Sequence, residues 1–225
     1  MSWILSLWRS ALGKKYVMAL TGLILFGWIF LHMVGNLKLY LGPDAMNHYG
    51  EWLRIIGAPA FPDGAVLWIT RIVLIVAVWL HIQAAVQLTL MNRRARPVGY
   101  ESRDYVETDY AARTMRWGGV IIFLFVIYHL LHITTGDAHP DFIPGDPYHN
   151  VVVGLQRIGP ALVYILANIA LGLHLYHGLW SMFQSMGWNH PKFNHWRRAF
   201  AVAFALVVAI GNISFPLAVM FGFVS

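Results

Sequence analysis

The chain has 225 residues, of which 58% are hydrophobic and only 12% charged. Soluble domains carry about twice that charged fraction, so the composition points to an integral membrane protein and away from an ordinary soluble enzyme. With no cysteine the chain makes no disulfide, no covalent c-type haem attachment and no iron–sulfur ligation of its own. Its formal net charge of +6 sits in loops between apolar runs, the pattern of membrane topology rather than of a nucleic-acid binder.

The N-terminal segment, about residues 1–14, is too short to span a bilayer and lacks the basic n-region of a cleavable signal. Trp3, Leu7 and Trp8 share one helical side there, which predicts a short interfacial helix. Five apolar segments follow, each long enough for the roughly 20 residues that a spanning helix needs. The first covers about 16–39 and the second about 64–91, with a loop marked by Pro43, Pro59 and Pro62 between them. A charged loop, Asn92 to Arg113, leads to the third, about 115–135. An acidic loop rich in proline and glycine, Gly136 to Asn150, precedes the fourth, about 151–186. The turn Gly187 to Arg198 precedes the fifth, about 199–224. No clear internal repeat is present. The expected fold is all-α: one domain over 1–225, built as a five-helix transmembrane bundle.

The basic residues orient it. Arg9, Lys14 and Lys15 precede the first span; Arg93, Arg94, Arg96, Arg103, Arg113 and Arg116 lie between the second and third; Lys192, Arg197 and Arg198 lie between the fourth and fifth. Lys38, Arg54, Arg71 and Arg157 are the remainder, and the loop holding Asp137, Asp141 and Asp146 has none. By the positive-inside rule the N-terminus is cytoplasmic and the C-terminus external, as in a multi-pass protein of the bacterial cytoplasmic (inner) membrane.

Four of the five spans carry a histidine in their interior: His32, His81, His129 and His174. An ionisable side chain inside hydrocarbon is costly and marks a functional hypothesis. A single one reads as a hydrogen-bonding strut between helices. Four on four separate helices is the number that holds two b-type haems by pairs of axial imidazoles, since neutral imidazole is a good iron ligand. With a rise of about 1.5 Å per residue, His32 lies about 25 Å from the Lys15 end, His129 about 20–24 Å above Arg113 and Arg116, and His81 about 18 Å from Arg93, with His174 at a comparable or slightly greater height. These depths allow an outer pair, His32 with His129, and an inner pair, His81 with His174. His132 and His177 each share a helical face with a neighbour three residues back, so one of each couple is free to ligate while the other serves a haem propionate, a quinone or another helix. His48, His139, His149, His190 and His195 read as solvated or interfacial. Gly22, Gly27, Gly35, Gly118, Gly119, Gly172 and Gly178 either let a flat macrocycle approach the backbone or serve helix packing.

The string Thr21-Gly22-Leu23 followed by His32-Met33-Val34-Gly35-Asn36-Leu37 resembles the first helix of the succinate dehydrogenase cytochrome b subunit, most closely the b558 type, in which one polypeptide of five helices holds two haems b. His174-Leu175-Tyr176-His177-Gly178-Leu179-Trp180-Ser181 is similar to that family's fourth-helix signature, His-x-x-x-Gly-Leu-Trp-Ser. The resemblance runs over essentially the whole chain. It implies that His174 rather than His177 is the ligand. Likewise an arginine 13 residues ahead of the ligand, here Arg116, picks His129 over His132. His81 is the only choice in the second helix. It also implies a membrane anchor for a flavoprotein subunit and an iron–sulfur subunit of succinate dehydrogenase, the respiratory complex II of the tricarboxylic acid cycle. Electrons would pass from those partners through two haems b to menaquinone or ubiquinone, and the same machinery also runs as fumarate reductase. FAD and iron–sulfur clusters belong to the partners; the bilayer is the remaining partner, nucleic acid is not one, and a higher oligomer is compatible. The basic cytoplasmic face is a natural docking surface. Some diheme fumarate reductases carry a glutamate two residues before the fourth-helix ligand for transmembrane proton movement. Gly172 stands there in this chain, which argues against that path.

A quinone site combines apolar walls with a few ionisable groups. One candidate is external: His48, Glu51 and Arg54 beside Trp52, with His132 approaching from the third helix. A cytoplasmic alternative uses Trp8, Arg9 or Arg94. Arg71, Arg157 and Lys38 are candidate partners of outer haem propionates, and Arg93 or Arg94 of inner ones, against the alternative of snorkelling to headgroups. Two rival functions remain. A different diheme quinone-linked cytochrome b would place two ligands on each of two helices, a spacing no span here has. A transporter or metal permease would use intramembrane histidines for ions and calls for mid-membrane carboxylates, which helices one to four lack.

Overall fold

The computed structural model describes residues 6, 8–95 and 110–225, with backbone alone for 110–114. Trp3 and Leu7 of the expected interfacial helix, and Arg96 and Arg103 of the charged loop, lie outside the described residues, as does the side chain of Arg113. All secondary structure among the described residues is helical. In chain order it comprises α1 (Ala11–Asn36), a 3-10 turn (Leu37–Leu41), α2 (Pro43–Ile55), α3 (Ala65–Arg94), α4 (Tyr110–His129) continued by a π-helical turn (Leu130–Thr135), α5 (Pro147–Leu155), α6 (Ile158–Ser185) and α7 (Asn194–Met220). Among them five helical segments are long and apolar enough to cross a membrane: Ala11–Leu41, Ala65–Arg94, Met115–Thr135, Ile158–Ser185 and Asn194–Met220.

Local chemistry explains the ends. The Ser10 hydroxyl accepts from Gly13 N at 2.9 Å and starts α1, filling one of the donors that a helix N-terminus leaves orphaned. After the 3-10 turn, Gly42 at φ 95° breaks the chain and Pro43 opens α2 with Asp44 in its first turn, where a fixed φ and a negative charge are both favoured. The Asp146 carboxylate accepts from His149 N at 2.9 Å and caps α5, again with proline in the first turn.

Three boundaries differ from the sequence reading. The fourth span starts at Ile158 rather than near Val151, because Gln156 and Arg157 interrupt the helix, with Arg157 extended at φ −81°, ψ 131°. Pro160 has no N–H to donate and is best accommodated in the first turn of a helix, which favours a new start at Ile158 over a continuous run from Val151. The loop before the second span holds the 13-residue helix α2, whose short length and mixed polarity conceal it in a hydropathy profile. The fifth span is displaced, running from Asn194 to Met220.

The bundle is assembled from pairs. α1 packs on α3, α4 on α6, and α6 most extensively on α7, with α1 also reaching α6 and α7. Small residues make the α6–α7 approach close: Ala161, Ala201 and Val208 are fully buried, and a Cβ on Gly172 would stand 3.0 Å from Ala209 Cβ. Close approach through small side chains is what packing in lipid rewards, since lipid tails are themselves apolar. The outward surfaces are apolar and exposed, as at Ile75 (67%) on α3 and Trp117 (74%) on α4, which suits a hydrocarbon surround. At one end α2, α5 and the Gly136–Asp146 loop form a cap, the loop end. There Asn47 Nδ2 donates to Asp146 Oδ1 at 3.0 Å and Asn47 Oδ1 accepts from Tyr148 N at 3.0 Å. At the other, basic end, Lys14 is buried and its Nζ donates to the Trp8 carbonyl at 2.6 Å. Arg197 is buried there too, donating to the Trp188 carbonyl and to Asn189 and Asn194 while its guanidinium lies over Trp180.

Candidate functional site

The four intramembrane histidines meet in two couples across the bundle. His32 of α1 and His129 of α4 have ring centroids 5.8 Å apart, nearly perpendicular at 82°. His81 of α3 and His174 of α6 have centroids 6.4 Å apart at 58°. The helices carrying each couple do not pack closely on one another: α1 and α4 are held apart, as are α3 and α6, while the tight contacts run within α1–α3 and α4–α6. Imidazoles therefore span a gap between two helix pairs. His177 is half-buried and stands outside both couples.

In the basic-end couple the tautomer of His81 follows from its neighbours. Its Nδ1 lies 3.1 Å from the Met18 carbonyl and 3.1 Å from Thr21 Oγ1. A carbonyl only accepts, so Nδ1 carries the proton. Thr21 has given its own hydrogen to the Val17 carbonyl at 2.7 Å and accepts as well. Nε2 of His81 is thus left with a bare lone pair. His174 has Nδ1 buried with no hydrogen-bond partner among the described residues. Glycine stands beside both rings: a Cβ would come 3.4 Å from His81 Cε1 at Gly22 and 3.7 Å from His174 Cε1 at Gly119.

The loop-end couple is built from side chains instead. Trp28 stacks on His32 at 6.0 Å, and Asn36 Nδ2 lies 3.3 Å from His32 Nε2, a long contact from the next helical turn. His129 Nδ1 lies 3.2 Å from the Tyr164 hydroxyl, and Phe125 flanks the ring at 5.8 Å. The same hydroxyl lies 3.0 Å from Nδ1 of His132. His132 is completely buried in the π-helical turn, stacked on Tyr128 at 5.2 Å, and its Nε2 has no hydrogen-bond partner. His139 is 5.2 Å from it, centroid to centroid, with both nitrogens committed: Nε2 donates to the Asn150 carbonyl at 2.8 Å and Nδ1 accepts from Asp141 N at 3.0 Å. Gly154 leaves the room they occupy, since a Cβ there would fall 2.9 Å from His132 Cε1 and from His139 Nε2.

The other expected site residues are dispersed. His48 and Glu51 lie side by side at 4.0 Å on the open face of α2, with Trp52 and Arg54 also exposed. His132 does not join them; it is sealed among Tyr128, Tyr164, His139 and Gly154. His139, expected to be solvated or interfacial, is half-buried and pins the Asp141–Asn150 loop. His149 Nε2 lies 3.1 Å from the Asp141 carbonyl and 3.5 Å from its carboxylate. Arg71 is exposed over Trp68, Lys38 lies over Tyr49, and Arg157, Arg93 and Arg94 are exposed. Sequence reasoning missed Tyr164 and the roles of Thr21 and Asn36. Thr21 and Asn36 fall within the two strings that carry the family resemblance. A tyrosine on the fourth span, by contrast, carries no signal of its own.

Among the described residues no three or more His, Cys, Asp or Glu side chains converge on a point. Two imidazoles on opposite sides of one metal, each at about 2.0–2.1 Å, have centroids about 6 Å apart. Both couples meet that separation, on helices spaced apart, with an unpartnered buried nitrogen on His174 and glycine beside the basic-end rings. These residues fit axially bound haem. No family model, curated protein or solved structure matches the chain.

Proposed function

We propose that this chain is the diheme cytochrome b membrane anchor of a succinate dehydrogenase, passing electrons from an iron–sulfur partner subunit to a membrane quinone. The observation that carries the reading is the pairing of four histidines from four spans into two ring-to-ring couples of 5.8 and 6.4 Å. The motifs around His32 and His174 support the family. In this reading His81 and His174 hold one haem b and His32 and His129 the other. Each supplies reversible one-electron transfer at its iron.

The chain's own residues present and orient the ligands. Met18 and Thr21 fix His81 with Nε2 bare. Trp28 and Phe125 wall the loop-end couple with apolar surface, and burial and polar neighbours are what tune such a potential. The basic end faces the cytoplasm by the positive-inside rule and docks the flavoprotein and iron–sulfur subunits. His48 and Glu51, exposed together on α2, are proton carriers suited to a quinone site at the opposite membrane face, with Arg54 beside them. The membrane is then the bacterial cytoplasmic one.

The test is a reduced-minus-oxidised spectrum and haem assay on protein purified in detergent. Two haems b per chain are expected, with flavoprotein and iron–sulfur subunits co-purifying. Colourless protein from haem-replete cells overturns the reading, and two haems without those subunits would point to a different quinone-linked cytochrome b.

A further inference from the structure

We infer that Tyr164 and His132 are positioning residues that together set the tautomer of His129. His129 Nδ1–H donates to the Tyr164 oxygen, the Tyr164 hydroxyl donates to His132 Nδ1, and the His129 Nε2 lone pair is left for iron. The inference rests on the haem reading above and gives His132 a role within it.

The geometry is one hydroxyl between two ring nitrogens, 3.2 Å from His129 Nδ1 and 3.0 Å from His132 Nδ1. A phenol has a single proton to donate, so the two histidines cannot choose tautomers independently. If the hydroxyl donates to His129, that ring carries its proton on Nε2 and cannot bind a metal there. If the hydroxyl donates to His132, His129 must supply the proton the tyrosine oxygen accepts, and Nε2 is bare. What selects between them is whether His132 can accept at Nδ1, which requires its proton on Nε2.

The surroundings of His132 permit that. Its Nε2 meets no partner among the described residues, so no donor forces that nitrogen to be the acceptor, and the N–H placed there is itself unmatched. His139 is the nearest other imidazole, and its tautomer is already fixed by the Asn150 carbonyl and the Asp141 amide, so it makes no opposing demand. The space left by Gly154 and the stacking on Tyr128 hold the His132 ring in place. Nothing in this arrangement changes charge: it is a directional chain of hydrogen bonds among neutral groups. Second partners of metal-binding histidines act in this way, and losing one typically lowers metal affinity about 10–100-fold.

Three variants in the full chain test it: Tyr164→Phe, His132→Leu and His132→Asn. Asparagine is informative because its Oδ1 falls near the place of the imidazole Nδ1 and can only accept. The readouts are haem per chain after purification, haem retention against an apo-globin acceptor, and a redox titration resolved into two components. Tyr164→Phe and His132→Leu are expected to weaken haem retention about 10–100-fold, or displace the midpoint, at the His32–His129 component alone. His132→Asn is expected to keep both components as in the unsubstituted protein. Three results overturn the inference: both components unchanged in Tyr164→Phe, both unchanged in His132→Leu, or His132→Asn failing at the His32–His129 component as His132→Leu does. The haem reading fails separately, and takes this inference with it, if the unsubstituted protein holds no haem or His129→Ala retains both.

Discussion

The two histidine couples do the same geometric job with different materials. At the basic end His81 is fixed by a backbone carbonyl, Met18, with Thr21 as a second acceptor. A carbonyl cannot reverse its role, so no substitution at position 18 removes that constraint while the helix stands. At the loop end His129 leans on a hydroxyl shared with His132, and a hydroxyl can turn around. His81 in the first couple is therefore held by main-chain architecture, and His129 in the second by the identity of two side chains. On the proposed haem reading, support written into the backbone is robust to mutation, whereas support written into side chains can be tuned.

The comparison can be broken most severely at the ligands. Replacing His81 or His174 with alanine is expected to remove one of two haems completely and leave the other component of the redox titration in place. Loss of both, or of neither, would show that the couples do not act as separate sites. Next in size is Gly154→Ala. A methyl there would press on His132 and His139 at 2.9 Å, and overpacking costs about 1–3 kcal/mol. The thermal midpoint should fall, with spectral change confined to the loop-end component; a shift at the basic-end component instead would count against the local reading. The smallest effect sharpens the contrast. Thr21→Val removes one of two acceptors from His81 and leaves the Met18 carbonyl, so the loss is that of one hydrogen bond, about 0.5–1.5 kcal/mol. Haem retention at the basic end should fall about 2–12-fold, less than the effect of Tyr164→Phe at the loop end. Equal effects from the two variants would erase the distinction between backbone and side-chain support.

Much of this was legible in the chain, for definite reasons. Hydropathy places spans because a bilayer demands length, and a constant rise per residue converts sequence position to depth. From those alone His32 could be set level with His129, and His81 with His174, and the rings do meet in those couples. What depth does not give is rotation about the helix axis. In α4 and α6 nearly every position is apolar, so no polar face announces which side turns inward. Tyr164 was therefore invisible as the partner of His129, and so was the enclosure of His132 by Tyr128, Tyr164 and His139. The α2 helix escaped for the opposite reason: it is too polar and too short to register as a span, though Pro43 and Asp44 mark its start. The break at Gln156 was obscured by apolar residues on both sides, with Pro160 as its one clear warning.

The clamp between Asn47 and the Asp146–Tyr148 turn has a consequence for biosynthesis. Its halves are 99 and 101 residues apart in the chain, and a ribosome adds about 5–20 residues per second. The α2 helix is thus made roughly 5–20 s before the turn that secures it, and two further spans must be inserted in the interval. The cap over the loop-end histidines therefore closes only after those two spans have been made.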